Sequence, residues 1–150
     1  MRRSQSSPAS PETLLASLSF MALDPSSLPQ EVLTFLGERH LATLTTLRPD
    51  GTPHVVAVGF TWDADAGLAR VITNGTSRKV AHVRRGSPRA VVAQVDGARW
   101  LSLEGVPTVS DDPERVAEAV RRYAGRYRQP ALNPARVVIE IAVDRVLGRG

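Results

Sequence analysis

Three strand-like runs between His40 and Thr73 follow one another with only tight turns between them, and this spacing constrains the fold more than any other feature of the chain. His40 to Leu47 is rich in Thr and Leu, Pro53 to Trp62 is dense in Val, Ala and Phe, and Leu68 to Thr73 completes the set. Arg48-Pro49-Asp50-Gly51 joins the first two. Proline pre-sets the first corner of such a turn, and glycine accepts the positive φ that closes it. Asp63 to Gly67 turns the chain again. Parallel strands need a crossover of about a dozen residues or more, so these runs predict an antiparallel meander.

The segments around the meander extend it. Residues 1 to 26 are rich in Ser and Pro and read as a flexible leader, with 27 to 150 as one domain. Ser27 is placed to cap a first helix, Pro29 sits near its start and Gln30 completes a capping-box pattern. Leu28, Val32, Phe35 and Leu36 mark its apolar face. Asn74-Gly75-Thr76 ends the third strand, and Ser77 to Arg85 reads as a short basic helix with Thr76 or Ser77 as cap and Gly86 as stop. Arg89 to Val95 and Ala98 to Val109 flank Asp96-Gly97, a two-residue hairpin signal. Asp111 or Asp112 caps a third helix that Pro113 opens, with Val116, Val120, Tyr123 and Tyr127 as its inner stripe. Arg136 to Leu147 is a sixth strand. The fold class expected is mainly β: a closed or nearly closed barrel of six antiparallel strands, with helices after strands three and five.

Charge narrows what such a barrel binds. The formal net charge is +4, and of 19 basic residues only Lys79 is lysine. That balance favours acidic ligands, while the strands lack the interleaved aromatics of a nucleic-acid binder. Cysteine is absent, which excludes disulfides and thiolate chemistry and suits a reducing cytoplasm. The three histidines have no metal-ligand spacing, so no metal site is expected. No apolar run approaches the roughly 18 residues of a membrane helix.

Thr73-Asn74-Gly75-Thr76-Ser77-Arg78-Lys79 leaves a strand, passes a glycine turn and starts a helix. It is either a phosphate cradle of hydroxyls, backbone N–H groups and a cation, or an ordinary capped surface helix. His54 on the second strand is either a proton donor near a bound ring or, more often for such a position, a structural hydrogen-bonder. Gln94, Arg99 and Trp100 flank the Asp96-Gly97 turn, suited to an extended acidic aromatic ligand or to a subunit contact. The run Arg121, Arg122, Arg126, Arg128 reads as a solvated helix face.

Four runs carry a resemblance: Phe35-Leu-x-Glu-Arg-His-Leu-Ala-x-Leu-Thr-Thr-Leu-Arg, Pro53-His-Val-Val-Ala-Val-Gly-Phe-Thr, Gln94-Val-Asp-Gly-Ala-Arg-Trp-Leu-Ser-Leu-Glu-Gly, and Asn133-Pro-x-Arg-Val-Val-Ile-Glu. Together they resemble the pyridoxamine-phosphate-oxidase-like split barrels, and within them the branch that uses the deazaflavin coenzyme F420 to reduce biliverdin. The resemblance covers roughly residues 28 to 148 and implies a homodimer with two cofactor sites at the subunit interface. It places Pro53, His54, Val55, Val56, Ala57, Ile72 and Thr73 around the cofactor ring, and Ser77, Arg78 and Lys79 on its phosphate. Gln94, Arg99, Trp100 and Arg128 are the implied substrate ligands, with Arg99 and Arg128 on two propionates. His82 departs from the pattern, since relatives often carry asparagine three residues after the lysine. The implied reaction is hydride transfer from reduced F420 to a conjugated acceptor, biliverdin to bilirubin. An FMN-dependent oxidase or reductase of the same fold, or a non-catalytic deazaflavin-binding module, are the alternatives.

Overall fold

The computed structural model describes residues 22–150. The expected leader therefore lies outside the described residues as far as 21. Its last residues form a short strand, β1 (Ala22–Leu23), and a turn in which Asp24 accepts the Ser26 N–H at 3.0 Å. That turn also draws the Ser27 N–H onto the Asp24 carbonyl. Ser27 is accordingly not the cap it was expected to be. Helix α1 (Gln30–Gly37) starts after Pro29, which stands at the N-cap with no side-chain bond, and Gln30 reaches forward to Thr34 instead of back. The apolar face of α1 is as expected: Val32, Phe35 and Leu36 are buried in the core.

The meander forms as β2 (Ala42–Leu47), β3 (Pro53–Val58), β4 (Thr61–Asp63) and β5 (Leu68–Asn74). The run Pro53 to Trp62 was expected to be one strand; it is two, broken at Gly59 and Phe60. The cause lies far along the chain. The rings of Tyr123 and Tyr127 pack against the bend so closely that a Cβ on Gly59 would stand 3.0–3.1 Å from them. The Tyr127 hydroxyl accepts the Phe60 N–H at 3.2 Å, in place of a strand partner.

Helix α2 (Arg78–Arg84), the hairpin β6 (Ala90–Asp96) and β7 (Arg99–Ser110), helix α3 (Pro113–Arg126) and β8 (Arg136–Arg149) follow within a few residues of their expected bounds. Asp112 is the cap of α3 and accepts the Arg115 N–H. The described residues hold eight strands where six were expected, because β1 is added and the second run is divided. The sheet runs β3-β2-β6-β7-β8-β5-β4, antiparallel throughout, with β1 on β8. Its two ends, β3 and β4, are consecutive in the chain. Among the described residues no ladder pairs these two ends; only the covalent bend at Gly59 and Phe60 joins them, and it forms the seam of the barrel. Where β7 and β8 cross at a bulge, Gly105 is obligatory, since any side chain there would collide with the Ala142 carbonyl.

Phe35, Phe60, Leu44, Leu101, Leu103, Ile139 and Ile141 fill the interior, each worth roughly 1.5–3 kcal/mol of apolar burial. A charged cluster fastens α3 outside this core. Arg70 and Asp63 pair at 2.7 Å with both side chains buried, Arg122 reaches Asp63 at 3.1 Å, and Arg115 reaches the buried Glu140 at 2.8 Å. The arginine run of α3 is thus not a solvated face, as expected from sequence. Arg121 and Arg128 are exposed, but Arg122 and Arg126 turn inward.

Candidate active site

The seam, the end of β5 and the first turn of α2 converge on a groove of 270 Å³. Ala57, Val58 and Gly59 supply one wall; Ile72, Thr73, Asn74 and Lys79 supply the other. Tyr123 of α3 and Pro130, Asn133 and Arg136 from the following segment close it. The chain turns here for local reasons. The Asn74 side chain accepts both the N–H and the hydroxyl of Thr76 at 3.2 Å, and the Gly75 N–H donates to the Ala135 carbonyl at 2.9 Å. Ser77 is the N-cap of α2 but makes no side-chain cap bond, so its hydroxyl stays beside that of Thr73, 3.4 Å away.

Lys79 is the distinctive group. It is half-buried, and among the described residues no carboxylate lies within ion-pair distance of it. Burial holds its ammonium below the usual lysine range. A half-desolvated cation without a partner is unfavourable, and a bound anion would relieve that cost.

The residues expected around a cofactor ring are divided by the pleat of β3. Pro53, Val55 and Ala57 point outward, whereas His54 and Val56 turn inward. Of these five only Ala57 lines the groove, together with Ile72, Thr73 and Lys79. Arg78 is exposed at the start of α2. His54 packs edge-on against His82, ring centroids 4.8 Å apart, and the His82 Nδ1 lies 2.9 Å from the Thr46 hydroxyl. Burial lowers the affinity of both rings for a proton; Arg48, Lys79 and Arg78 add to this at His54, and His54, Arg48, Arg85 and Arg78 add to it at His82. A histidine whose folded pKa is depressed contributes stability above its unfolded pKa, about 6.5, and loses it as pH falls. The melting temperature should therefore drop as pH is lowered from 7.5 to 5.5. His82→Asn, which retains a partner for Thr46 but cannot charge, should flatten that slope; an unchanged slope would dismiss the pair as its source.

The residues expected to bind substrate are scattered. Gln94 is fully buried, donating to the Phe35 carbonyl at 3.2 Å and accepting from Arg126 at 2.7 Å, which leaves no polar atom for a ligand. Arg99 binds both oxygens of Glu38 and also Asp96, over the ring of Phe35 at 4.4 Å. Trp100 lies half-buried on β7, paired with Val95 and Arg149. None of the three lines the groove. Glu38, His40 and Asp96 bring ligand atoms within 4.8 Å of one another, but Arg99 already neutralises both carboxylates. Arg128 alone stands next to the groove, in a pocket that shares Tyr123 with it. Sequence reasoning missed Asn133 and Arg136 as wall residues, although both sit in a quoted run. Tyr123 and Tyr127 were placed on the correct face of α3 but read as core.

A barrel split at a bent strand, with a cation-bearing groove at the seam, defines a class. The chain belongs to the pyridoxamine 5'-phosphate oxidase family, whose model matches residues 28–150. It is 59% identical over 121 residues to the F420H(2)-dependent biliverdin reductase of Mycobacterium tuberculosis (strain CDC 1551 / Oshkosh), covering 81% of this chain and 88% of that protein. Among solved structures it is similar to a conserved hypothetical protein from Mycobacterium tuberculosis, with a TM-score of 0.69 at 25% identity over 82% of this chain and 85% of the other. An F420 reductase matches with a TM-score of 0.62 at 25% identity, over 79% and 98% respectively. No helix among the described residues is long and apolar enough to cross a membrane.

Proposed function

We propose that this protein is a coenzyme F420-dependent oxidoreductase that reduces biliverdin to bilirubin and works as a cytoplasmic homodimer. The observation that carries the reading is the 59% identity to an F420H(2)-dependent biliverdin reductase. The groove fits such a cofactor on its own terms: an unpaired, half-buried lysine suits a phosphodiester, and the apolar Ala57 and Ile72 suit a flat ring. When bound, the deazaflavin supplies the hydride. The chain's part is to hold and orient. Lys79, with the hydroxyls of Thr73 and Ser77 and the nearby Arg78, anchors the phosphate. Ala57 and Ile72 pack the ring, and Tyr123 with the Gly59 bend keeps water from its flank. The outward Val55 and Val95, 56% and 72% exposed, suit burial against a second subunit.

The test is a parallel titration of the purified protein with F420 and with FMN, followed by biliverdin added to the reduced complex. Tight F420 binding, weak FMN binding and biliverdin-dependent cofactor oxidation with bilirubin as product are expected. Preference for FMN would replace the cofactor, and F420 binding without oxidation would leave a deazaflavin-binding module.

A further inference from the structure

Beside the groove, across Tyr123, lies a second pocket of 360 Å³ lined by Arg39, Leu41, Tyr123, Tyr127 and Arg128. Two cations, two phenol rings and an aliphatic side chain meet there, and no acid does. We propose that Arg39 and Arg128 are the carboxylate clamp of this pocket, holding the two acid arms of a flat conjugated acceptor laid over Tyr123 and Tyr127.

Both arginines are free to do so. Neither forms an ion pair among the described residues, whereas the other arginines at this end of the barrel are occupied. Arg99 holds Glu38 and Asp96; Arg122 holds Asp63 and Glu118; Arg126 donates inward to two carbonyls and Gln94. Glu38, adjacent to Arg39 in the chain, is the nearest candidate to neutralise it. Its carboxyl is engaged by Arg99 and His40 instead, which pull its pKa to about 2.

The pocket floor is fixed between the two cations. The Tyr127 hydroxyl donates to the His40 carbonyl at 2.6 Å. Arg39 precedes His40 and Arg128 follows Tyr127, so both arginines flank the same hydrogen bond. Tyr123 leans on Tyr127, ring centroids 4.9 Å apart, and its other side faces the groove. A ligand seated here would therefore stand next to whatever occupies the groove, with Tyr123 lining both. Guanidinium groups take carboxylates through paired, charge-assisted hydrogen bonds. The rings and Leu41, 71% exposed, offer apolar surface to a conjugated body.

The inference rests on the proposed function for the identity of the acceptor, biliverdin, whose two propionates match two arginines. Carboxylates on a glutamate tail of the cofactor are the same chemistry from another source, and the test separates them. Biliverdin and its dimethyl ester are titrated by bilin absorbance into wild type, Arg39→Gln, Arg128→Gln and the double variant, each with and without oxidised F420. F420 affinity is measured in parallel. The wild type should prefer the diacid to the diester by about ten-fold or more. The double variant should lose that preference and bind the diacid about ten-fold more weakly or worse, with F420 affinity unchanged. Lysine at both positions should restore part of the preference. A preference retained by the double variant, or no bilin binding by the wild type, overturns the clamp. A fall in F420 affinity with bilin binding intact reassigns the arginines to the cofactor's tail. Failure of the wild type to bind F420 would overturn the cofactor reading, while the bilin titrations without cofactor still judge the clamp.

Discussion

Replacing Arg126 by alanine will lower the unfolding free energy by about 3 kcal/mol or more and the melting temperature by on the order of 10 °C. The guanidinium donates to the Glu38 carbonyl at 2.8 Å, the Phe60 carbonyl at 2.6 Å and the Gln94 side chain at 2.7 Å. It also stacks over Phe60 at 4.8 Å and Tyr127 at 5.2 Å. Burial opposes its charge, so the group persists only because its donors are satisfied. Its removal leaves the Gln94 amide oxygen, on a fully buried side chain, and the Glu38 carbonyl without this donor, each at a cost of about 1–3 kcal/mol where water does not reach. It also unfastens the C-terminal turn of α3 from the α1–β2 connection and from the seam. Arg126→Met keeps much of the volume and none of the donors, so it should recover little. Denaturant unfolding checks both variants, and a loss below about 1 kcal/mol for alanine would show that water replaces the guanidinium.

Lys79→Ala should weaken F420 binding by about ten- to a hundred-fold, as expected for the loss of one charge-assisted contact to a phosphate. Folding should be unaffected or slightly favoured, because a half-buried ammonium with no acidic partner contributes nothing to the empty fold. The two readouts must part company: fluorescence titration of F420 reports the affinity, and thermal unfolding reports the fold. Unchanged affinity would remove Lys79 from the phosphate site. A parallel loss of stability would make it a structural residue.

The meander, the hairpins and the start of the third helix were legible because each is punctuated locally, by Pro49 and Gly51, by Asp96-Gly97, and by Asp112 and Pro113, whereas the capping box expected at Ser27 does not form. Lys79 was legible as a compositional exception, the lone lysine among arginines. The break at Gly59 was not, because its cause is a pair of tyrosines on α3 that the local Val-rich pattern cannot report. Two misplacements had signals that went unused. Ala90, Val92 and Gln94 alternate along β6, which puts Gln94 inside with the two apolar residues. Arg122 and Arg126 follow Ala119 at helical spacing, on the face that Ala119 buries. Arg39 sits in a quoted run, but nothing local marked its role: it is a connecting residue that shares a pocket with Arg128 only because the fold bonds Tyr127 to the His40 carbonyl.

Among the described residues, the covalent bend at the seam leaves the outer edge of β3 without a strand beside it, along the stretch that ends at the groove. Main-chain N–H and C=O groups on such an edge still demand partners, and they offer the same donors and acceptors whatever side chains the strand carries. Recognition written in the main chain survives substitution. Under the proposed function, exchanging Ala57 or Ile72 for a larger residue would change which ring fits the groove, while the peptide groups of the strand would stay where they are. If the groove holds the proposed cofactor, the seam would serve as a reusable socket, with a few side chains around it deciding what is plugged in.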